Sequence, residues 1–327
     1  MTAAALSQRK RSFSGYRPVN PRKDMAAIAD LIQEAFNQEM DPVGSRLVRE
    51  MKTFSRGGIF GWLLGRIFLP RAAYPMGYVW EEDGRVVGNA SLLRVEGFPF
   101  RWVMANVAVG SAYRGKGIGR ALIQASIELA QKRNARELLL QVLSSNQVAQ
   151  VLYASLGFHP LSTRTTWIRA RHERMPVEAE PSAVRPRASG EWKDQLALAE
   201  RLHPEGVVWP YPLTSSLFHL SGFSSFFYQE LNQHWVCYEG ERLMGSLTAR
   251  QSTERSALRL ILMVSPEMRG KVEASLIYCA LKSRSNRRVR YILDYPAGVA
   301  EEDLKALGFQ TQRTLTWMSK DLFESKV

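Results

Sequence analysis

An internal repeat is the feature that most restricts the folds open to this chain of 327 residues. Three segments recur in the same order, and each second copy lies about 150–160 positions after the first. The first pair reads as a β-hairpin turning at Asp83-Gly84. The matched segments are 78–88 and 235–245, 113–116 and 268–271, and 153–158 and 304–309. Because this spacing has the size of a whole domain, the chain is predicted to be a tandem duplication of one fold.

A change in composition indicates where one copy ends and the other begins. Residues 172–190 are rich in proline and charge, as a linker between domains is. We therefore predict an N-terminal domain over residues 1–171, a linker over 172–190 and a C-terminal domain over 191–327. A chain of this length can bury a sizeable core in each of two domains.

The first copy has the pattern of an α/β fold. An apolar strand at 106–109 leads through a glycine-rich loop into a helical pattern that begins at Ile118. A second short apolar strand at 138–142 precedes another helix, for which Ser145-Asn146 is a suitable cap and Gly157 a suitable end. The predicted order is therefore strand, loop, helix, strand, helix.

The loop between the first strand and its helix is suited to bind a phosphate or pyrophosphate. Glycines allow the backbone to approach a ligand closely, and the N–H groups and dipole of the helix start favour an anion. Glycines and basic residues alternate here: Arg114, Gly115, Lys116, Gly117, Gly119 and Arg120. The alternative is an ordinary strand-to-helix turn with a solvated basic face.

Two other phosphate-binding loops do not match this sequence. A mononucleotide P-loop has Ser or Thr after its Gly-Lys, and that magnesium-binding hydroxyl is missing here. A dinucleotide fingerprint has the spacing G-x-G-x-x-G, with an acidic residue about 20 positions further on. Here the spacing is G-x-G-x-G, and the loop lies deep in the chain instead of near its start.

Loop and helix together resemble the GCN5-related N-acetyltransferase (GNAT) superfamily. The resemblance is carried by the strand 106–109, by the loop 114–119 and by the segment 146–158 with its Asn146, Tyr153 and Gly-Phe end. It implies an α/β (α+β) fold made of two tandem GNAT-like domains. Each would be a central mixed sheet flanked by helices, with the C-terminal copy degenerate.

The resemblance also implies which residues bind the co-substrate, acetyl-CoA, with no metal. The backbone groups of Val107 and Val109 would pair with pantetheine and polarise the thioester carbonyl, as an oxyanion hole does. Asn146 would contact the CoA arm. The remaining positions hold the pyrophosphate: Arg114, Gly115, Lys116, Gly117, Ile118, Gly119 and Arg120.

Tyr153 stands at the position of the family's usual general acid. A phenol with a pKa of about 10 can protonate a departing thiolate of comparable basicity. The alternative is a core tyrosine, because Tyr153 also lies on the apolar stripe of its helix. No general base is assigned: Glu81, Glu96 and His159 are candidates by proximity in sequence only, and a water chain is another.

The second copy departs from the first where the chemistry would lie. After Arg269-Gly270-Lys271 the loop is one residue short, and Val272 and Glu273 stand where further glycines would be needed. Glu273 would bring negative charge near a pyrophosphate, and Leu304 takes the position of Tyr153. We therefore predict that this copy does not bind acetyl-CoA productively and serves packing, the acceptor pocket or dimerisation.

Composition leaves the partners open. The formal net charge of +13 favours anionic partners, but no zinc-finger spacing or RNA-binding aromatic motif supports nucleic acid, and scattered solvated charge is the alternative. The apolar segment 57–70 is too short for a membrane span; it could cover the core or contact substrate, a partner or a membrane surface. Two cysteines and the absence of a visible secretory signal favour the cytoplasm.

These observations together predict an acyl-CoA-dependent N-acetyltransferase. It would move an acetyl group from acetyl-CoA to a primary amine of an unidentified small molecule or protein, in a chain that could form a homodimer. The alternatives are a CoA-binding regulatory protein without turnover and a protein associated with nucleic acid through its basic surface.

Overall fold

The structure is a computed structural model in which the chain divides into two compact units. One unit contains residues 1–94, 100–140 and 320–327, and the other contains residues 95–99 and 141–319. The domain boundaries predicted at residues 171 and 190 stay a prediction. The described residues are 13–36, 45, 48–49, 51–53, 76–95, 98–176, 184–204, 206–208, 211–219, 232–251, 257–284 and 289–323.

The first unit is built around a mixed sheet with strand order β1-β2-β3-β4-β5. The pairs β1–β2 and β2–β3 are antiparallel, whereas β4 and β5 run parallel. The elements are β1 Ser14–Pro18, α1 Pro21–Phe36, β2 Met76–Glu82, β3 Arg85–Val95, β4 Phe98–Val109, α2 Ile118–Lys132 and β5 Glu137–Leu143.

Local sequence explains these elements. Asp83 and Gly84 both have positive φ, at 49° and 80°, which confirms the predicted tight hairpin turn between β2 and β3. Helix α2 packs directly over Gly88 of β3: a Cβ added there would lie 3.0 Å from Leu122 Cδ1 and 3.1 Å from Ile118 Cγ2. Glycine at this position therefore allows the helix to lie close to the sheet.

The strands of the second unit follow the order β14-β6-β13-β12-β11-β10-β7. Only the β12–β13 pair is parallel among the pairs described in this order. The elements are α3 Gln147–Ser155, β6 His159–Arg169, β7 Val184–Pro186, α4 Trp192–Leu202, β8 Val207–Val208, β9 Tyr211–Pro212, β10 Asn232–Glu239, β11 Arg242–Gln251, β12 Ala257–Val264, α5 Glu273–Lys282, β13 Arg290–Pro296, α6 Glu301–Ala306 and β14 Phe309–Asp321.

The repeat is visible in the details of the structure. The β2–β3 pairing shifts register after Trp80, and the β10–β11 pairing shifts after Cys237, the equivalent residue. Gly245 of β11 lies under α5 as Gly88 lies under α2, since a Cβ added to Gly245 would lie 3.1 Å from Leu276 Cδ1 and 3.2 Å from Val272 Cγ2. Tandem copies of one α/β fold, each a mixed sheet flanked by helices, are thereby confirmed.

One strand of the second unit comes from the first half of the sequence. Strand β6 lies between β13 and β14, and it pairs antiparallel with both. Threonines face each other across β6 and β14: the hydroxyl oxygens of Thr165 and Thr314 lie 3.0 Å apart, and those of Thr163 and Thr316 lie 3.2 Å apart. The second unit is therefore a product of both halves of the chain. No helix in the described ranges is both long and apolar enough to cross a membrane.

Candidate functional site

The end of strand β4 has an unusual backbone conformation at Asn106. The parallel pairing of β4 with β5 runs from Arg101 to Met104, and β4 then continues to Val109. Asn106, within this extension, has a φ of 55°, a conformation that asparagine tolerates better than most residues. The side chain of Asn89, fully buried on β3, donates a hydrogen bond to the Asn106 carbonyl over 2.8 Å. Asn89 thus holds the backbone at Asn106, directly before Val107.

The loop that follows β4 presents its backbone outward. Gly115 and Gly117 both adopt positive φ, at 77° and 79°, and helix α2 begins directly after Gly117. Both glycines are exposed, and so is Lys116 between them. In the described part of the chain, the backbone N–H groups of these three residues meet no acceptor. Together with the first amides of α2, they place several backbone donors at the positive end of a helix, an arrangement that suits an anion.

Side chains from the loop and from α1 hold this conformation. Arg114 Nε donates to the Val109 carbonyl over 3.0 Å, which uses one of the two lone pairs of that oxygen. The Lys116 ammonium lies 5.1 Å from the Tyr113 ring centre, which keeps positive charge over the loop. Glu34 of α1 accepts the Ser111 N–H over 2.8 Å, and this hydrogen bond lowers the pKa of Glu34.

Asn146 and Tyr153 lie on α3, in the second unit. Asn146 is the N-cap of this helix and accepts the Ala149 N–H over 3.0 Å, and Gly157 ends the helix with a φ of 85°; both local predictions are confirmed. The Tyr153 ring is buried against Phe158, but its hydroxyl bonds to no residue in the described ranges. Burial raises the pKa of Tyr153 to about 12. The position of Tyr153 is therefore compatible with both interpretations, a core side chain and a proton donor.

The candidate residues therefore fall into two sets. The strand and loop positions come together in the first unit: Val107, Val109, Arg114, Gly115, Lys116, Gly117, Ile118, Gly119 and Arg120. Asn146 and Tyr153 belong to the second unit, and the roles of all eleven residues stay predictions.

Among the candidates for a base, Glu81 is committed to an ion pair with Arg17 at 2.6 Å. His159 Nε2 lies 3.0 Å from the Ser319 hydroxyl. Glu96 and the apolar segment 57–70 lie outside the described residues.

Sequence reasoning missed two residues that shape the loop. Asn89 has a signal in hindsight, since it is the only amide side chain in a mainly apolar strand, and such a residue needs a hydrogen-bond partner when buried. Glu34 has none, because it belongs to an ordinary amphipathic helix and reaches the loop only through the tertiary fold.

The equivalent loop of the second copy is closed by its own side chains. Gly270 keeps a φ of 76°, but Val272 is the N-cap of α5 and Glu273 is fully buried behind it. The Glu273 carboxylate accepts the Val272 N–H over 3.2 Å and the Tyr295 hydroxyl over 2.8 Å. The cleft that remains beside Tyr295 has a volume of about 30 Å³, enough for a water or two.

Comparisons with known proteins agree with this geometry. Residues 32–158 match the model of the acetyltransferase (GNAT) family. A Bacillus subtilis protein named a putative ribosomal protein bS18-alanine N-acetyltransferase is 30% identical over 95 residues, which are 27% of this chain and 57% of that protein. The chain spans about half the length of the curated relatives it matches.

Two solved structures share the fold over nearly the whole chain. A GCN5-related N-acetyltransferase from Sphaerobacter thermophilus has a TM-score of 0.60 at 18% identity, covering 94% of this chain and 95% of that one. A tandem GNAT protein from the clavulanic acid biosynthesis pathway has a TM-score of 0.55 at 17% identity, covering 96% and 100%. At these identities the likeness concerns the fold alone.

Proposed function

The chain belongs to the GCN5-related N-acetyltransferase superfamily, and from that premise we propose that it transfers an acetyl group from acetyl-CoA to a primary amine. The observation that carries this proposal is the outward-facing backbone of Gly115 to Gly117 at the start of α2. Unpaired N–H groups, two basic side chains and a helix dipole suit the pyrophosphate of CoA. Acetyl-CoA would supply the thioester carbonyl that an amine attacks.

Other residues of the chain would bind the pantetheine arm of CoA and orient its thioester. The end of β4 after Asn106 offers backbone groups at Val107 and Val109 that could hold pantetheine and orient the thioester carbonyl. Asn146 would contact the CoA arm through the amide hydrogens that its capping role leaves unused.

Tyr153 would act as the general acid for the departing thiolate. Burial raises the pKa of Tyr153 to about 12, so it stays protonated at neutral pH, and as a weaker acid than an ordinary phenol it would give its proton to the thiolate only as the thioester bond breaks. The hydroxyl also bonds to none of the described residues, so it would not have to break an internal hydrogen bond to donate. No residue is proposed as the base.

The acceptor is proposed as an amine of a protein or a small molecule. The name of the Bacillus subtilis relative motivates a peptide with N-terminal alanine as the first acceptor to test. Both cysteines are free thiols, which fits the proposed cytoplasmic location. That the chain forms a homodimer is also a proposal. Glu273 at the second loop supports the proposal that the C-terminal copy does not bind acetyl-CoA productively.

Release of free thiol from acetyl-CoA tests the activity. The purified protein is incubated with acetyl-CoA and, in turn, an alanine peptide, a polyamine and an amino sugar, with a no-amine reaction as the control for hydrolysis. We expect thiol release that depends on one class of amine. Tight acetyl-CoA binding without amine-dependent release would instead support a regulatory protein, and RNA or DNA binding with steep salt dependence would support the nucleic-acid alternative.

A further inference from the structure

A second cavity lies in the second unit, away from the closed loop of its own copy. Its volume is about 530 Å³, within the range of small-molecule sites. The first residues of β10 line this cavity, whereas the closed cleft lies at the C-terminal ends of β12 and β13. Because β11 runs antiparallel to both β10 and β12, those two positions are at opposite ends of the sheet. The cavity is therefore distinct from any remnant of a cofactor cleft.

An arginine is fixed in the wall of this cavity. Arg187 Nη1 donates to Gln195 Oε1 over 2.7 Å and to the Phe218 carbonyl over 2.8 Å. Gln195 is itself fully buried, and its Nε2 donates to Thr248 Oγ1 over 2.9 Å. The guanidinium is thus held by neutral groups that are already ordered, so a ligand would meet a preorganised cation.

The charge of this arginine is not balanced inside the cavity. None of the described residues that line it is acidic, and Arg187 Nε has no partner among the described groups. Glu191, which does not line the cavity, is ion-paired with Arg185 on the surface at 2.6 Å, and its charge also acts on Arg187. His234 bonds through Nδ1 to Thr248, and burial together with the Arg187 charge lowers the pKa of His234 to about 3. At neutral pH His234 is therefore uncharged, and the cation is left to Arg187.

We propose that this cavity binds a small molecule with an oxyanion group, a carboxylate or a phosphate, on an apolar body. Arg187 would pair with the oxyanion, as guanidinium groups do with planar carboxylates and with phosphates. The aromatic rings of Phe218 and Trp235, which also line the cavity, would contact the apolar body. This site is independent of acetyl transfer, and its test uses no acetyl-CoA.

Titration calorimetry of the full-length protein with three matched probes tests the proposal. Benzoate and phenyl phosphate carry the two oxyanions, and benzamide is the neutral isostere of benzoate. We expect saturable binding of at least one of the two anions, with benzamide at least about tenfold weaker, because a charge-assisted hydrogen bond is lost. Which anion binds more tightly identifies the group the site prefers.

Two variants connect the binding to the cavity. Arg187→Gln should weaken the bound anion about tenfold or more, whereas Arg185→Gln, two positions earlier and paired with Glu191 on the surface, should leave it unchanged. Since Arg187 also holds Phe218, Ser189→Trp is a second variant: it places a large ring at the cavity from an exposed position, and its circular dichroism melting curve verifies folding. Absence of saturable binding by both anions, equal binding of benzamide, or binding unaffected by both Arg187→Gln and Ser189→Trp would overturn the proposal.

Discussion

At the scale of the residue, Tyr153 separates the catalytic interpretation from the structural one. Tyr153→Phe keeps the buried ring and removes only the hydroxyl that bonds to none of the described residues. We expect kcat to fall about a hundredfold, the low end for general acid catalysis, with the KM for acetyl-CoA nearly unchanged. Because burial raises the pKa to about 12, the wild-type rate should not decline on the alkaline side through this residue below about pH 11.

The same substitution at another buried tyrosine is the control. Tyr291 lies in β13, 3% exposed, and Tyr291→Phe should leave kcat unchanged. A Tyr153→Phe enzyme with wild-type kcat across the pH range would remove the hydroxyl from the mechanism and return Tyr153 to the core.

Asn89 acts on the site through another residue. Asn89→Ala removes the hydrogen bond to the Asn106 carbonyl and leaves that carbonyl without its buried partner. We expect a loss of about 1–3 kcal/mol in the free energy of unfolding, together with a raised KM for acetyl-CoA and a smaller change in kcat. Chemical denaturation and steady-state kinetics measure the two effects.

Ser91→Ala is the matched control for Asn89→Ala. It removes the other hydrogen bond of the Asn89 amide, at 3.1 Å, and leaves the contact with Asn106 in place. If both variants lost stability without any change in KM, Asn89 would be a structural residue without influence on the loop.

At the scale of the element, the two copies supply their own control. Gly115 and Gly270 have nearly equal φ, 77° and 76°, and a Cβ added to either would meet nothing within 4 Å. Alanine should therefore cost about 1 kcal/mol of stability at each position, from the backbone alone. Only Gly115→Ala should weaken acetyl-CoA binding, severalfold by titration calorimetry. A comparable loss of affinity in Gly270→Ala would assign cofactor binding to the second loop as well.

Local elements were also what the sequence predicted best. The turn at Asp83-Gly84, the cap at Asn146 and the helix end at Gly157 depend on neighbouring residues, and all three are confirmed. The roles of Asn89 and Glu34 depend on distant contacts. The sequence showed no sign of a role for Glu34, and for Asn89 it showed only a polar amide in a mainly apolar strand.

At the scale of the whole molecule, the two copies differ in capacity. The chain should bind one acetyl-CoA, because Glu273 and Tyr295 close the second loop and the remaining cleft has only about 30 Å³. Titration calorimetry gives the stoichiometry directly. A fit that requires two molecules per chain would contradict the assignment of all chemistry to the first copy.

The strand pairing predicts that the halves cannot be separated. A chain of residues 1–171 would contain β6 without β13 and β14, its neighbours in the second unit, and would expose two unpaired edges. We expect this fragment to aggregate or to show little fixed structure by circular dichroism. The control is the full chain with a protease site in the linker: cleavage after folding should leave both pieces together on a sizing column. A monomeric, cooperatively folding 1–171 would be the opposite result.

The pairing of β6 could not be predicted from the sequence. Strands β6 and β14 each follow a helix and a Gly-Phe pair, at Gly157-Phe158 and Gly308-Phe309, so the two are equivalent in pattern. By its pattern, β6 or β14 could be the last strand of either copy. The apolar periodicity of a strand does not show whether it pairs with strands of its own copy or with those of the other copy. The tandem architecture was therefore predictable, whereas the origin of each strand was not.

The position of β6 also bears on how such a chain can arise and change. A strand that completes the sheet of a duplicate is what domain swapping produces between two identical protomers. Fusion of the genes of two swapped protomers would give the connectivity seen here at β6. The former dimer would then be a single chain. Mutation could then close the second active site, as Glu273 does here. The strands β13 and β14 would still have to be kept, because β6 has its hydrogen-bonding partners there.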